Sequence, residues 1–190
     1  MQLTSEQQRI VSSAATRLAV QAGAGAAKTT TLCAYAQARP ECRVLYVAFN
    51  KAIQLEAATR MPANVSARTT HSLAYRKARD LFGDRAGERI GSTYPSTVSR
   101  AFGCTPLAAT AALQAIQKWC GSLEAELGSE HLPVDVASRL PDPAGLVALA
   151  RAVWTRMVDA NEHEIRLTHD GYLKLYQMDR PVLRGFDLIA

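Results

Sequence analysis

The sequence predicts an α/β fold with a parallel β-sheet. Strand-like and helix-like segments alternate three times before residue 83. Residues 43–49 (RVLYVAF) form an almost continuous apolar, β-favouring run, which is typical of a strand buried on both faces. A run of small residues ends in Lys28-Thr29, as expected of a turn that leads into a helix. Such alternation is typical of doubly wound sheets with helical crossovers.

Apolar spacing and capping residues predict the elements of the first part in order. Residues 3–13 are predicted as a short amphipathic helix that Thr4 or Ser5 caps. Residues 18–21 are predicted as a short strand that feeds the small-residue turn. The remaining predictions are helices over 28–38, 50–60 and 70–82 and strands over 43–49 and 65–69.

The pattern becomes helical after Gly83 and stays so to about residue 166. Residues 107–119 and 146–158 form the clearest amphipathic helices, and Trp119, Trp154 and Met157 are predicted as core side chains. Residues 182–190 are predicted as a further strand of the first sheet. The predicted domains are therefore a nucleotide-binding domain at 1–84 and 166–190 and a helical insertion at 85–165.

Composition limits the class of protein. A chain of 190 residues with 48% hydrophobic residues can bury a sizeable core. The net charge of +5 suits a polyanionic partner, or equally a basic protein with no such partner. The four cysteines show no CxxC spacing, which predicts neither a zinc site nor a disulfide framework. A polar N-terminus and the lack of a long apolar run predict a cytoplasmic protein without a membrane span.

Residues 22–30 have the layout of a phosphate-binding loop. Small residues let backbone N–H groups approach a polyphosphate, a lysine reaches the outer phosphates, and the next hydroxyl suits Mg²⁺. The N-terminus of the following helix favours the anion. The predicted ligands are a nucleoside triphosphate and Mg²⁺, with Thr29 on the metal. The predicted nucleotide-binding residues of the loop are Ala22, Gly23, Ala24, Gly25, Ala26, Ala27, Lys28, Thr29 and Thr30.

One loop position departs from the pattern, because Ala27 stands where glycine is expected. If φ is positive there, the β-carbon strains the loop by about 1–3 kcal/mol. We therefore expect weakened nucleotide binding and no accurate phosphoryl transfer.

A glutamine precedes the loop by about twenty residues. Gln7 offers a donor and an acceptor side by side, which suits the edge of adenine. Its place upstream of the loop predicts a contact with the nucleotide base.

Two polar segments follow the second and third predicted strands, where ligands of open α/β sheets bind. The 49–51 segment combines an aromatic ring, an amide and an ammonium, and the 69–71 segment adds a hydroxyl and an imidazole. These groups suit a nucleic-acid backbone and a stacked base. The alternative is a solvated helix cap with a core phenylalanine and a structural histidine. The predicted nucleic-acid contacts are Phe49, Asn50, Lys51, Thr69 and His71.

In this order and spacing, four segments resemble the N-terminal part of a UvrD/Rep-type superfamily 1 DNA helicase. LTxEQ at 3–7, the loop, AFNK at 48–51 and TxHSLA at 69–74 match the Q motif and motifs I, Ia and Ib. The F-box-DNA-helicase-like group is the most similar. The resemblance covers 1–82 and about 152–190. It implies a RecA-like P-loop NTPase fold with a 1B-like helical insertion, ATP-dependent 3′→5′ unwinding and a single-stranded DNA partner.

The sequence also departs from the family. Thr70 replaces the phenylalanine that is usual in the T-F-H segment of the family. The sequence ends with residues 186–190 (FDLIA), where the family continues into the acidic motif II. The resemblance therefore implies a truncated, catalytically inactive part of a helicase. Two alternatives stay open at this stage. One is a non-catalytic module that binds DNA or a partner protein, and the other is a small P-loop kinase, which phosphoryl transfer to a small acceptor would reveal.

Overall fold

The computed structural model describes residues 2–134 and 142–190, which divide into two compact units. Unit 1 comprises Met1–Leu73 and Val182–Ala190, and unit 2 comprises Ala74–Pro181. The assignment of a nucleotide-binding domain and a helical insertion to the chain stays a prediction.

Unit 1 contains a parallel three-stranded sheet, which confirms the predicted fold class. The strands are β1 (Val44–Ala48), β2 (Val65–Thr69) and β3 (Leu188–Ile189), in the order β2-β1-β3. Strand β1 pairs with β2 from Val44↔Val65 to Ala48↔Thr69. It is the central strand; Val44, Leu45 and Ala48 are buried, as its continuous apolar run predicts, whereas Tyr46 and Val47 are half-buried.

Three helices lie in unit 1, α1 (Ser5–Val11), α2 (Lys28–Gln37) and α3 (Lys51–Arg60), and α4 (Thr70–Phe82) follows β2 directly. Local capping explains where two of them begin. The Thr4 hydroxyl accepts the amide N–H of Gln7 at the start of α1. Asn50 Oδ1 accepts the amide N–H of Ile53 at the start of α3.

The predicted strand at 18–21 is wrong. These residues have no regular structure, and Leu18 and Val20 are about half exposed. A strand requires a ladder partner, and among the described residues neither edge of the sheet pairs with this segment.

The strand predicted over 182–190 is much shorter than expected. Only Leu188–Ile189 pair with β1. Upstream, the amide of Arg184 donates to the carbonyl of Val182, and Gly185 has a φ of +89°, so the backbone turns before it can extend.

Unit 2 is helical. Beyond α4 it contains α5 (Ala86–Arg89), α6 (Pro95–Phe102), α7 (Pro106–Cys120), α8 (Pro143–Val158) and α9 (His169–Met178), with short 3₁₀ turns at Gly83–Arg85 and Ser129–His131. Its core centres on α7, where four alanines are fully buried. Trp119 and Met157 are buried as predicted, whereas Trp154 is only half-buried. Within the described ranges, no helix is long and apolar enough to cross a membrane.

Candidate nucleotide-binding loop and strand-end segments

The loop before α2 is an irregular turn with open space beside its glycines. The amide of Ala26 donates to the carbonyl of Gly23 over 3.4 Å, and Gly25 has a φ of +76°. A β-carbon placed on Gly23 or Gly25 meets no atom within 4 Å. The turn therefore leaves room for a ligand to approach the backbone closely.

The side chain of Lys28 folds back over this turn. Its Nζ donates to the carbonyl of Gly23 over 2.8 Å and to that of Ala22 over 3.4 Å, and the residue is exposed. Thr29 and Thr30 are half-buried in the first turn of α2. An exposed ammonium can exchange carbonyl partners for phosphate oxygens at little cost, since both states satisfy its donors. The residues present thus fit a phosphate group.

Ala27 has a left-handed backbone conformation. Its φ is 52° and its ψ is 37°, so the positive φ on which the expected strain depends is observed. Its carbonyl accepts the amide of Thr31 over 3.0 Å and the hydroxyl of Thr31 over 3.1 Å. These bonds hold the residue in place at the start of α2. The β-carbon consequently costs about 1–2 kcal/mol relative to the right-handed region.

We expect Ala27→Gly to raise the free energy of unfolding by about 1 kcal/mol, because glycine adopts a positive φ without steric cost. Urea denaturation with an unchanged m-value measures this gain. The matched control is Ala26→Gly, which lies outside the positive-φ positions and should lower stability slightly through unfolded-state entropy. Equal effects of the two substitutions would contradict the strain at Ala27.

Gln7 caps its own helix. Its side-chain Oε1 accepts the backbone N–H of Thr4 over 3.0 Å, and its backbone N–H donates to the Thr4 hydroxyl over 3.3 Å. This reciprocal pair is a capping box, which fixes the first turn of α1. Among the described residues, no hydrogen bond joins Gln7 to the loop, and its contact with adenine stays a prediction.

The structure brings the two strand-end segments to one edge of the sheet. Ala48 pairs with Thr69, so Phe49 and Thr70 leave neighbouring strands at the same end. The ring of Phe49 is 88% exposed, which rules out the alternative of a core phenylalanine. Lys51 beside it is exposed, and its Nζ donates to Gln54 Oε1 over 2.7 Å. An exposed ring next to an ammonium can stack on a base and hold a phosphate.

The second strand-end segment is bound into the start of α4. The hydroxyl of Thr69 accepts the amide of Ser72, and the amide of Thr69 donates to the Ser72 hydroxyl, each over 3.1 Å. His71 is half-buried and interacts within the protein. The capping role of Thr69 is thus observed, and the DNA contacts of Thr69 and His71 stay predictions.

Sequence analysis missed Asn64 as a positioning residue. Its Nδ2 donates to the carbonyls of Ala36, Arg39 and Cys42 over 2.9–3.2 Å. These carbonyls end α2 and lead into β1, so Asn64 anchors the helix whose other end carries Lys28. The only signal in the sequence is an asparagine just before a predicted strand, which alone indicates a turn.

No group of three or more His, Cys, Asp or Glu side chains that could hold a metal ion occurs in residues 2–134 and 142–190. A Mg²⁺ ion here would take its oxygens mainly from the bound phosphates and water, as this ion commonly does.

A parallel βαβ sheet with a lysine-bearing turn ahead of a helix defines a mixed α/β protein consistent with a RecA-like fold. The chain is homologous to F-box DNA helicases. It is 30% identical to F-box DNA helicase 1 of Gallus gallus over 100% of its own length. It is 29% identical to F-box DNA helicase protein 1 of Schizosaccharomyces pombe over 93% of its length.

The chain spans 21% and 22% of the lengths of these relatives. No family model matches it, and no solved structure matches it. The homology thus supports a helicase-related function.

Proposed function

We propose that this chain is the ATP-binding part of a UvrD-like DNA helicase whose whole protein unwinds DNA in the 3′→5′ direction. The observation that carries the proposal is the Lys28 ammonium folded over an open turn at the start of α2. The homology to F-box DNA helicases also supports the proposal that this chain is part of a helicase.

Each part of the loop has a separate task in this proposal. The backbone amides around Gly23 and Gly25 would hold the phosphates, Lys28 would exchange its carbonyl partners for the outer phosphate oxygens, and the Thr29 hydroxyl would serve as a ligand of Mg²⁺. When bound, ATP would supply the phosphoanhydride bond whose hydrolysis drives translocation in the whole protein.

We propose further that the 190-residue chain by itself binds ATP without hydrolysing it. Phosphoryl transfer depends on a positioned attacking water and on charge stabilisation. The acidic residues in the sequence of unit 1 are Glu6, Glu41, Glu56 and Asp187, and none lies directly after β1, at 49–51, or directly after β2, at 70–73. Glu56 and Asp187 are ion-paired with Arg60 and Arg43. This arrangement supports a nucleotide-binding role that needs groups from elsewhere for catalysis.

The strand-end segments are the proposed site for single-stranded DNA. Fluorescence anisotropy of a labelled oligothymidylate, titrated with the chain at rising salt, tests this. We expect affinity to fall steeply with salt, since backbone contacts release counterions. Phe49→Ala should weaken binding by about 5- to 100-fold, because stacking contributes about 1–3 kcal/mol per base.

Leu55→Ala is the matched control for Phe49→Ala. Leu55 is also an exposed apolar residue of unit 1, at 52%, but it lies in the second turn of α3, six residues after Phe49. A flat salt profile, or equal effects of the two substitutions, would refute the proposed DNA site.

A further inference from the structure

Arg39 joins the first two helices of unit 1 through its guanidinium. Its Nη1 donates to the carbonyl of Val11, the last residue of α1, and its Nη2 donates to that of Ser13, each over 2.8 Å. The same Nη1 donates to the carbonyl of Tyr35 in α2 over 3.2 Å, and the guanidinium carbon lies 3.8 Å from the centre of the Tyr35 ring. We call these contacts the Arg39 clamp, because one side chain just beyond α2 holds the end of α1.

The position of α1 depends strongly on this clamp. The helix packs against α2, yet none of its seven residues is buried. In the described part of the chain, no other hydrogen bond joins residues 3–13 to α2. The last carbonyls of a helix have no partner within it, and a cation at that end also stabilises the helix dipole. Bonds to Arg39 thus fix a helix that lacks the buried apolar face by which helices are usually held.

Arg39 lies at the end of α2 that is remote from the phosphate-binding loop. The helix has ten residues and is therefore about 15 Å long, with Lys28 at its first position and Arg39 just past its end. The guanidinium is half-buried and already donates to three carbonyls. It is not placed to bind a phosphate at the start of α2, so Arg39 can act on a bound nucleotide only through the helix that it holds.

The first turn of α1 carries Gln7, the predicted contact of adenine. The capping box orients its carboxamide, because Oε1 accepts the backbone N–H of Thr4. That oxygen has a second lone pair, and the amide nitrogen has two N–H donors. A carboxamide can accept from the amino group of adenine and donate to the neighbouring ring nitrogen, whereas guanine presents two acceptors along the same edge. The chemistry of Gln7 therefore suits adenine and opposes guanine.

We infer that Arg39 is a positioning residue for base selection, an inference that rests on the proposed ATP site. Lys28 begins α2 and Gln7 lies in α1, so the Arg39 clamp sets the position of the base contact relative to the phosphate contact. The triphosphate is common to all nucleotides, and only the contact of Gln7 distinguishes adenine from guanine. Loss of the clamp therefore lowers the preference for ATP over GTP and leaves the affinity for the phosphates unchanged.

Isothermal titration calorimetry of the 190-residue chain with ATP, GTP and inorganic tripolyphosphate, each with Mg²⁺, tests this role. We expect the unaltered chain to bind ATP at least about tenfold more tightly than GTP, as a bidentate base contact provides. Arg39→Ala should weaken ATP binding by about tenfold, close to the GTP value, and should change tripolyphosphate affinity by less than about twofold. A merely structural role of Arg39 would not change the ratio of these two affinities.

Further variants separate the clamp from charge and from the base contact. Gln7→Ala keeps the bond from its backbone N–H to the Thr4 hydroxyl, and it should reproduce the effect of Arg39→Ala. The double variant should show no additional loss, because both residues act through one contact. Arg39→Lys keeps the charge but not the planar fork of donors, so it should lose part of the preference for ATP. Arg60→Ala is the matched control, since Arg60 ends α3 and pairs with Glu56, and all three affinities should stay unchanged.

Three results would overturn the inference while the proposed ATP site stands. One is a preference for ATP over GTP that Arg39→Ala leaves unchanged. Another is equal affinity of the unaltered chain for ATP and GTP. The third is a parallel loss of ATP and tripolyphosphate binding in both Arg39→Ala and Arg39→Lys, which would make Arg39 a residue of the fold and not of base selection. Failure of the ATP site itself looks different, because the unaltered chain would then bind neither ATP nor tripolyphosphate, and the inference would fall with it.

Discussion

Replacing Lys28 by alanine is expected to weaken ATP binding by the chain by about 10- to 100-fold. A hydrogen bond to a charged group contributes about 1.5–3 kcal/mol, and Lys28 is the cation placed at the turn. Isothermal titration calorimetry of the 190-residue chain with ATP and Mg²⁺ measures the change.

The substitution should leave the fold intact, because Lys28 is exposed and loses only its bonds to two loop carbonyls. Arg60→Ala is the matched control. Arg60 is an exposed cation of unit 1 at the end of α3, paired with Glu56, and its loss should not change ATP affinity. Unchanged affinity in Lys28→Ala would show that ATP does not bind at this turn.

Local signals explain which parts of the fold could be predicted. The predicted bounds of β2 and α4 agree with the structure, because the β-favouring run at 65–69 ends at the reciprocal cap of Thr69 and Ser72. The prediction of a strand at 18–21 was wrong because it depends on a non-local condition. Its apolar residues suit a strand, but a strand forms only where another strand pairs with it, and that pairing depends on residues far away in the sequence.

The features of the candidate site likewise separate into those that local sequence signals predict and those that they do not. The start of α2 at Lys28 could be predicted because small residues before a helix are a local signal, whereas the sequence did not fix the sign of φ at Ala27. The exposure of Phe49 could not be predicted, because an aromatic residue that follows a buried strand can lie either in the core or at the surface. The partial exposure of Trp154 was not predicted, because this residue occurs in an amphipathic helix, where burial is the usual expectation. The bonds that Lys174 donates to the carbonyls of Glu124 and Ser122, across 50 and 52 residues, also lie outside what local sequence patterns predict.

Arg89→Ala is expected to lower the stability of unit 2 by about 3–5 kcal/mol, as observed when one partner of a buried charged network is removed. Arg89 is only 2% exposed. Its Nη1 donates to the carbonyl of Ile165 over 3.0 Å, and its Nη2 donates to those of Met157 and Asp159 over 3.2 and 3.0 Å. Burial lowers the pKa of its guanidinium, while the nearby Glu162 carboxylate raises it.

The size of this effect follows from what the substitution leaves behind. The carbonyls of Met157, Asp159 and Ile165 accept from one guanidinium, so its loss leaves two buried acceptors and one part-buried acceptor unsatisfied at once. Arg100→Ala is the control, because Arg100 forms a 3.2 Å pair with Glu164 at the surface and should cost about 1 kcal/mol or less. Urea unfolding followed by the emission of Trp119 and Trp154, both in unit 2, separates the two outcomes. Similar losses in both variants would mean that the buried bonds of Arg89 contribute no more than an exposed ion pair.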